Sequence, residues 1–217
     1  MNRFFKSSIG KKLSMAISAI FLMVFLLQHF LINITSVFSE SLFNMLSHFM
    51  GTNPLVQFIL QPILILGVIF HFVMGFILEI KNRRSRKVNY SYQSGISSSW
   101  ISRNMFFSGV VILSFLGLHF YDFWVPEIKY KYIEFLPEDP ERYYEELVHK
   151  FHSPGRVAFY SISFVFLSLH LMHGFVSSFK SVGVNNKYSN TIKTMAIAFS
   201  VIVPLGFIFI ALFHHLN

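Results

Sequence analysis

The sequence predicts an all-α membrane protein with five transmembrane helices, and two observations lead to that prediction. Hydrophobic residues make up 53% of the 217 residues and the mean hydropathy is positive, which is more than a soluble core of this length needs. A span takes roughly 20 mainly apolar residues. Five stretches qualify, at about 13–34, 55–80, 101–124, 157–180 and 191–213. Because little chain remains outside them, we expect one integral-membrane domain over residues 1–217.

The first stretch follows basic residues, as the apolar part of a signal peptide does. Its apolar run is longer than a typical signal-peptide core, and no clear small-residue cleavage site ends it. We therefore expect it to be retained as the first transmembrane helix.

The placement of charge predicts the orientation of the helices. Basic residues precede the first stretch, surround the connection from the second to the third, and bracket the connection from the fourth to the fifth. Residues 35–54 contain no Lys or Arg, and residues 125–156 hold most of the acidic residues. The positive-inside rule then predicts a cytoplasmic N-terminus and an outer C-terminus. The same placement accounts for the formal charge of +8 without nucleic acid as a partner.

Two connections on the expected outer side have the pattern of short interfacial helices. One begins at Asp139-Pro140 and continues to about Phe151 with helical apolar spacing. The other covers residues 39–50, where Ser39 is a candidate cap. Its apolar residues Leu42, Phe43, Leu46 and Phe49 are expected on one side.

Histidines dominate the ionisable residues of the apolar stretches. They are His29 in the first stretch, His71 in the second, His119 in the third, and His170 with His173 in the fourth. A lone intramembrane histidine can simply bond a carbonyl of a neighbouring helix. A histidine in each of four stretches is a stronger signal, because ionisable groups in lipid are costly and usually functional.

The expected orientation places these histidines at two depths. His29 and His119 lie 17 and 16 residues beyond the basic residue at the inner end of their stretches, or roughly 25 Å. His71 and His170 each lie ten residues before an inner lysine, or roughly 15 Å. One imidazole from each of two facing helices is what a six-coordinate b-type haem requires, since the macrocycle fills the other four iron positions. Two pairs therefore predict two haems.

A glycine supports the choice of His71 and His170. The sequence FHFVMGF at 70–76 is echoed by LHLMHGF at 169–175, and in both a glycine, Gly75 or Gly174, comes four residues after the first histidine. Position i+4 returns to nearly the same helix face, so each glycine clears space beside a ligand for a flat macrocycle. Close helix packing is the alternative role for both glycines. His173 is not needed for the shared pattern.

The absence of cysteine narrows the cofactors further. It excludes disulfides, thiolate-ligated iron–sulfur clusters in this chain and covalent haem attachment through a C-x-x-C-H motif. Any redox cofactor must be held by other ligands.

These features together resemble the di-haem cytochrome b anchor subunit of succinate dehydrogenases and quinol:fumarate reductases. The resemblance covers the whole chain. Its local motifs are LLQHFLIN at 26–33, LFNMLSHFM at 42–50, IFHFVMGF at 69–76, SGVVILSFLGLHFYDFW at 108–124 and LHLMHGFVSSFKSVG at 169–183. The resemblance implies that His71 and His170 bind the proximal haem, nearer the iron–sulfur subunit, and that His29 and His119 bind the distal haem.

The resemblance also implies partners. They are a cytoplasmic flavoprotein with covalent FAD, which interconverts succinate and fumarate, and an iron–sulfur protein that docks on the anchor. This chain would lie in the cell inner membrane, surrounded by lipid, and would pass electrons between the iron–sulfur protein and a quinone, with menaquinone expected. It would not bind succinate itself, and a dimer of the whole complex is left open.

The quinone site and the haem propionate partners are less defined. Some family members have a glutamate near the outer end of the second helix, but no acid lies between Glu40 and Glu79 here. The polar candidates are His48, Asn53, Gln57 and Gln61, each with an alternative role as a loop or helix-end residue. The propionate candidates are Arg103, Lys180, Lys193 and Arg156, for which topology or docking to an acidic partner is the alternative.

Two other functions fit parts of the pattern. A b-type cytochrome subunit of another membrane dehydrogenase would keep the haems but differ in ligand spacing. A proton-coupled transporter would use the histidines as a proton relay, but the sequence shows no inverted repeat.

Overall fold

The computed structural model describes residues 7–84, 105–184 and 189–217, and their regular structure is helical. The helices are α1 (Ser8–Ile34), α2 (Glu40–Thr52), α3 (Gln61–Arg84), α4 (Met105–His119), α5 (Val125–Tyr132), α6 (Arg142–Phe151), α7 (Pro154–Ser181) and α8 (Ser189–Leu216). A 3₁₀ turn (Thr35–Val37) follows α1, and two π turns (Val56–Leu60 and Phe120–Trp124) precede α3 and α5.

Five helical segments in the described residues are long and apolar enough to cross a membrane, as predicted. They are Ile9–Val37, Val56–Lys81, Met105–Tyr132, Pro154–Ser181 and Asn190–Leu216. The third was expected to end at 124, but its 28 residues continue through α5 to Tyr132. At 1.5 Å per residue this segment is about 42 Å long, which exceeds a hydrocarbon core of about 30 Å. The length and composition of the five segments indicate a multi-pass membrane protein.

Both π turns have the same local cause. Each is followed two residues later by a proline, Pro62 in one case and Pro126 in the other. Proline has no backbone N–H, and its ring clashes with the carbonyl four residues earlier, so the regular hydrogen-bond pattern cannot continue through it. The chain widens instead, and the N–H groups of Gln61 and Val125 donate to the carbonyls five residues back.

The short helices α2 and α6 form where they were expected, with two corrections. Ser39 caps α2, its Oγ accepting the N–H of Leu42 at 3.2 Å. The predicted shared face is wrong, because Phe43 is buried against α6 and its neighbours whereas Leu42 and Phe49 are exposed. Packing against α6 selects the face that contains Phe43, which the apolar spacing alone did not distinguish.

The second correction concerns the start of α6. This helix begins at Arg142 rather than at Asp139, because the Asp139 side chain forms the turn before it by accepting the N–H of Glu141 at 2.9 Å. Asn44 of α2 fastens this turn, donating to the Glu141 carbonyl at 2.9 Å and accepting the N–H of Tyr144 at 2.8 Å.

The long helix α7 is the centre of the packing. It contacts α8 most extensively, then α4 and α1, whereas α3 rests mainly on α1 and only narrowly on α4. A largely aromatic core joins α4, α7 and α8 through Phe115, Tyr160, Phe164 and Phe207. We call the end of the helices that carries Lys11, Lys81, Lys180 and Lys193 the basic end, and the opposite end the far end.

Gly206 allows α1 to approach α8, and its substitution gives a test of this packing. A Cβ at Gly206 would lie 2.3 Å from Cε2 of Phe30, whose ring is held against Phe207. We expect Gly206→Ala to lower the free energy of unfolding by about 1–3 kcal/mol, the usual cost of overpacking. Gly117→Ala is the matched control, since among the described residues nothing apart from its chain neighbours and its own helix backbone lies within 4 Å of its Cβ position. Unfolding in detergent measures both, and equal stability of the two variants would contradict this packing.

Candidate functional site

The four histidines that the sequence paired by depth lie ring to ring in those same pairs. Near the basic end, the rings of His71 in α3 and His170 in α7 have centroids 6.4 Å apart and planes at 67°. Further toward the far end, His29 in α1 and His119 in α4 have centroids 5.7 Å apart and planes at 86°. We call these the basic-end pair and the far-end pair.

Each pair is formed by helices that are not packed against each other. Among the described residues, the extensive contacts join α1 to α3 and α7, and α4 to α7, with a narrower contact between α3 and α4. None of these contacts joins α1 to α4 or α3 to α7. The histidines therefore reach toward each other across the space enclosed by four helices rather than along a packed seam.

Serine hydroxyls from the two other helices contact the basic-end pair. Ser18 Oγ of α1 lies 3.1 Å from Nδ1 of His71, and Ser108 Oγ of α4 lies 3.2 Å from Nδ1 of His170. Both serines are buried. Neither serine was predicted from the sequence, because a serine in an apolar helix does not by itself indicate a contact with a histidine.

The far-end pair has different surroundings. The side chain of Asn33 approaches Nε2 of His29 at 3.4 Å while donating to the His29 carbonyl at 2.8 Å. Nδ1 of His119 is buried and has no hydrogen-bond partner within the described part of the chain. An unpaired buried nitrogen costs free energy.

The two glycines face methionines of neighbouring helices. A Cβ at Gly75 would lie 3.3 Å from the terminal methyl of Met15, and one at Gly174 would lie 3.5 Å from that of Met105. These contacts fit the helix-packing role that the sequence left open. Methionine is flexible, so the same space remains a candidate for a macrocycle edge.

The remaining histidines are placed elsewhere. His173 is half-buried, and the ring contact that His71 makes in α7 is with His170. His214 and His215 form hydrogen bonds that hold the end of α8. Nε2 of His214 lies 2.9 Å from Ser36 Oγ, and Nδ1 of His215 lies 2.8 Å from the Phe151 carbonyl oxygen.

The spacing of each pair can be tested against one shared iron. Metal–imidazole bonds of about 2 Å and ring centres about 1.1 Å further on place two axial ring centroids roughly 6 Å apart. The observed centroid distances of 6.4 and 5.7 Å lie on either side of that value. The described residues contain no group of three or more His, Cys, Asp or Glu suited to a bare metal ion. Two histidines alone fit an iron whose other four positions a macrocycle fills.

Two of the quinone candidates contact different tyrosines. The His48 ring lies 6.1 Å from that of Tyr143, and the Gln57 amide donates to the Tyr132 hydroxyl. No hydrogen bond within the described ranges joins His48, Gln57 and Gln61 to one another. Asn53 has the alternative role of a helix-end residue, since its side chain accepts hydrogen bonds from the N–H groups of Leu55 and Val56 at 3.0 and 3.3 Å.

A polar cluster near His48 was not predicted from the sequence. Glu127 of α5 pairs with Lys131 at 2.5 Å and with Arg142 of α6, whose guanidinium lies over the rings of Tyr130 and Tyr143 at 4.2 and 4.4 Å. Burial lowers the pKa of Arg142, but Glu127 and Glu146 outweigh it and leave that pKa raised. Burial and then Glu127 raise the pKa of Tyr143 to about 12. This cluster joins α5, at the end of the third membrane segment, to α6.

A second group of polar residues that was not predicted from the sequence lies one helical turn beyond His119. Asp122 is fully buried in the π turn and accepts from Arg156 Nε at 3.0 and 3.1 Å and from the Tyr160 hydroxyl at 3.1 Å. Arg156, a propionate candidate, is thus held by its Nε atom beside the far-end pair. Of the other candidates, Lys180 and Lys193 are exposed at the basic end, and Arg103 lies outside the described residues.

A comparison with protein-family models, with curated proteins and with solved structures finds no match to this chain.

The Asp122–Arg156 pair gives a test of the far-end geometry. Arg156→Met would leave a buried carboxylate with only the Tyr160 hydroxyl, and we expect it to lower the free energy of unfolding by about 2–4 kcal/mol, reduced from the fully buried case because Arg156 is one-third exposed. Asp122→Asn keeps an acceptor and should cost about 1 kcal/mol. Adding Asp122→Asn to Arg156→Met should recover stability.

Unfolding in detergent measures these variants. Lys129→Met is the control, because its ion pair with Glu134 is exposed and should contribute about 0–1 kcal/mol. A double variant less stable than Arg156→Met alone would show that Asp122 is not a buried charge that Arg156 compensates.

Proposed function

We propose that this protein is the di-haem cytochrome b anchor and electron-transfer subunit of a succinate dehydrogenase or fumarate reductase. The observation that supports the proposal most is the pair of cross-bundle histidine contacts at two levels, with ring spacings of 5.7 and 6.4 Å. One such contact could arise from helix packing. Two contacts, each joining helices that are otherwise apart, are the arrangement that two bis-histidine haems need.

In this proposal α1, α3, α4 and α7 form a haem-binding bundle. His71 and His170 hold the proximal haem, and His29 and His119 hold the distal haem. When bound, the two haems supply one-electron carriers between an iron–sulfur partner and a quinone. The chain itself contributes the axial imidazoles, an apolar enclosure that excludes water, and Arg156 as a fixed cation beside the distal level.

The remaining assignments follow from the same proposal. The basic end faces the cytoplasm, where exposed cations such as Lys12, Arg84 and Lys180 are available to an acidic surface of the iron–sulfur subunit. The flavoprotein with FAD binds that subunit and not this chain. The membrane is the cell inner membrane, and the quinone, with menaquinone as the expected type, meets the chain near the far end, where His48, Gln57 and Gln61 remain candidates.

Haem content of the purified protein tests this proposal. We expect a reduced-minus-oxidised spectrum of b-type haem and two haems per chain. His170→Ala should remove the low-spin spectrum of one haem because it removes an axial ligand, and the matched variant His173→Ala should retain both. Absence of haem would overturn the proposal and leave the proton-coupled transporter as the remaining function. One haem per chain, or loss with His173→Ala but not with His170→Ala, would refute the ligand assignment.

A second measurement separates the two cytochrome functions. In membranes that contain the assembled complex, succinate should reduce the haems of a succinate dehydrogenase. Haems that respond to another dehydrogenase substrate and not to succinate or fumarate would favour the other cytochrome function.

A further inference from the structure

Helices α1 and α4 repeat one arrangement of side chains. Each contains a methionine followed three residues later by a buried serine, Met15 and Ser18 in α1 and Met105 and Ser108 in α4. In both helices the far-end histidine comes 11 residues after the serine. Eleven residues make about three turns, so serine and histidine share one helix face about 16 Å apart. Each helix thus presents a histidine at one level and a serine at the other.

The hydrogen bonds determine which atom of each serine faces the imidazole. Ser18 Oγ donates to the Met15 carbonyl at 2.8 Å, and Ser108 Oγ donates to the Met105 carbonyl at 2.9 Å. A hydroxyl has a single hydrogen. When that hydrogen is donated to the helix carbonyl, the serine oxygen accepts from Nδ1 of His71 or His170, at 3.1 and 3.2 Å.

In that arrangement Nδ1 carries the imidazole hydrogen and Nε2 keeps its lone pair, so Nε2 is the atom available to a metal. The partner of the second ring nitrogen commonly sets both the tautomer and the orientation of a metal-bound histidine. We propose that Ser18 and Ser108 are positioning residues that hold His71 and His170 ready for axial ligation. This inference rests on the proposed function.

The far-end pair lacks this support. The side chain that approaches His29 is Asn33, at Nε2 and not at Nδ1, and Nδ1 of His119 has no partner among the described residues. An imidazole whose Nδ1–H donates a hydrogen bond is a more basic ligand and favours ferric iron. The serines therefore act on one haem only. Loss of either serine shifts the midpoint potential of that haem to a more positive value and leaves the other unchanged.

A purely structural role for the serines predicts something different. A serine that only bonds the carbonyl three residues back is common in apolar helices. Its loss would change stability without choosing between two haems. Ser163→Ala is the matched control for this role, because Ser163 is buried in α7 and donates to the Phe159 carbonyl at 2.8 Å.

The experiment compares Ser18→Ala, Ser108→Ala and Ser163→Ala in the full chain. Potentiometric titration of the haem spectrum should show that both Ser18→Ala and Ser108→Ala move the same one of two transitions to more positive potential. Ser163→Ala should move neither. Ser18→Thr and Ser108→Thr, which keep the hydroxyl, should retain the wild-type potentials.

A second readout does not depend on haem. In protein without haem and with ¹⁵N-labelled histidine, nitrogen chemical shifts should report the Nδ1–H tautomer for His71 and His170, and a mixture of tautomers in the alanine variants. Expected tautomers in a chain that never binds haem would support the serine role and overturn the proposed function. Two bound haems whose potentials ignore both serine variants, or wild-type tautomers that are mixed, would overturn the serine role and leave the proposed function intact.

Discussion

A polar nitrogen buried among apolar helices must find a partner, and this requirement organises the middle of the molecule. Helices α1, α3, α4 and α7 each direct a histidine into the space that the four helices share. Lipid offers no hydrogen-bond partner to the ring nitrogens of these histidines. The rings meet in two pairs at 5.7 and 6.4 Å. At the basic-end level serines satisfy the second ring nitrogen. At the far-end level Nδ1 of His119 is buried and without a partner among the described residues, which leaves an uncompensated cost at this level.

Backbone irregularities place the other functional groups. Pro126 interrupts the third membrane segment and widens it into a π turn, and Asp122 lies in that turn, where it meets Arg156 and Tyr160. The helix continues beyond the expected lipid boundary and brings Glu127 to Arg142 of α6. The far end is therefore held by buried or half-buried ion pairs. Apolar contacts hold the middle of the molecule, as the packing of Phe30 on α8 illustrates.

The sequence predicted what depends on composition and periodicity. The five membrane helices follow from apolar length, and the pairing of His29 with His119 and of His71 with His170 follows from charge and rise per residue. The sequence did not predict the serine contacts or the Asp122–Arg156 pair, because such contacts depend on how two helices are rotated about their axes, and an apolar helix of nearly uniform hydrophobicity carries no signal for that rotation. The sequence also grouped Phe43 with Leu42, Leu46 and Phe49 on one side of α2, whereas contact with α6 buries Phe43 and leaves Leu42 and Phe49 exposed.

The proposed function requires that each of the two histidine pairs ligate one iron. Electron paramagnetic resonance of the oxidised, purified chain tests this requirement directly, because ferric haem with two imidazole ligands is low-spin and gives a signal distinct from high-spin haem. Two low-spin signals are expected, with two irons per chain and little high-spin signal. A single low-spin signal, or a spectrum dominated by high-spin haem, would show that the two pairs do not both bind iron through two histidines.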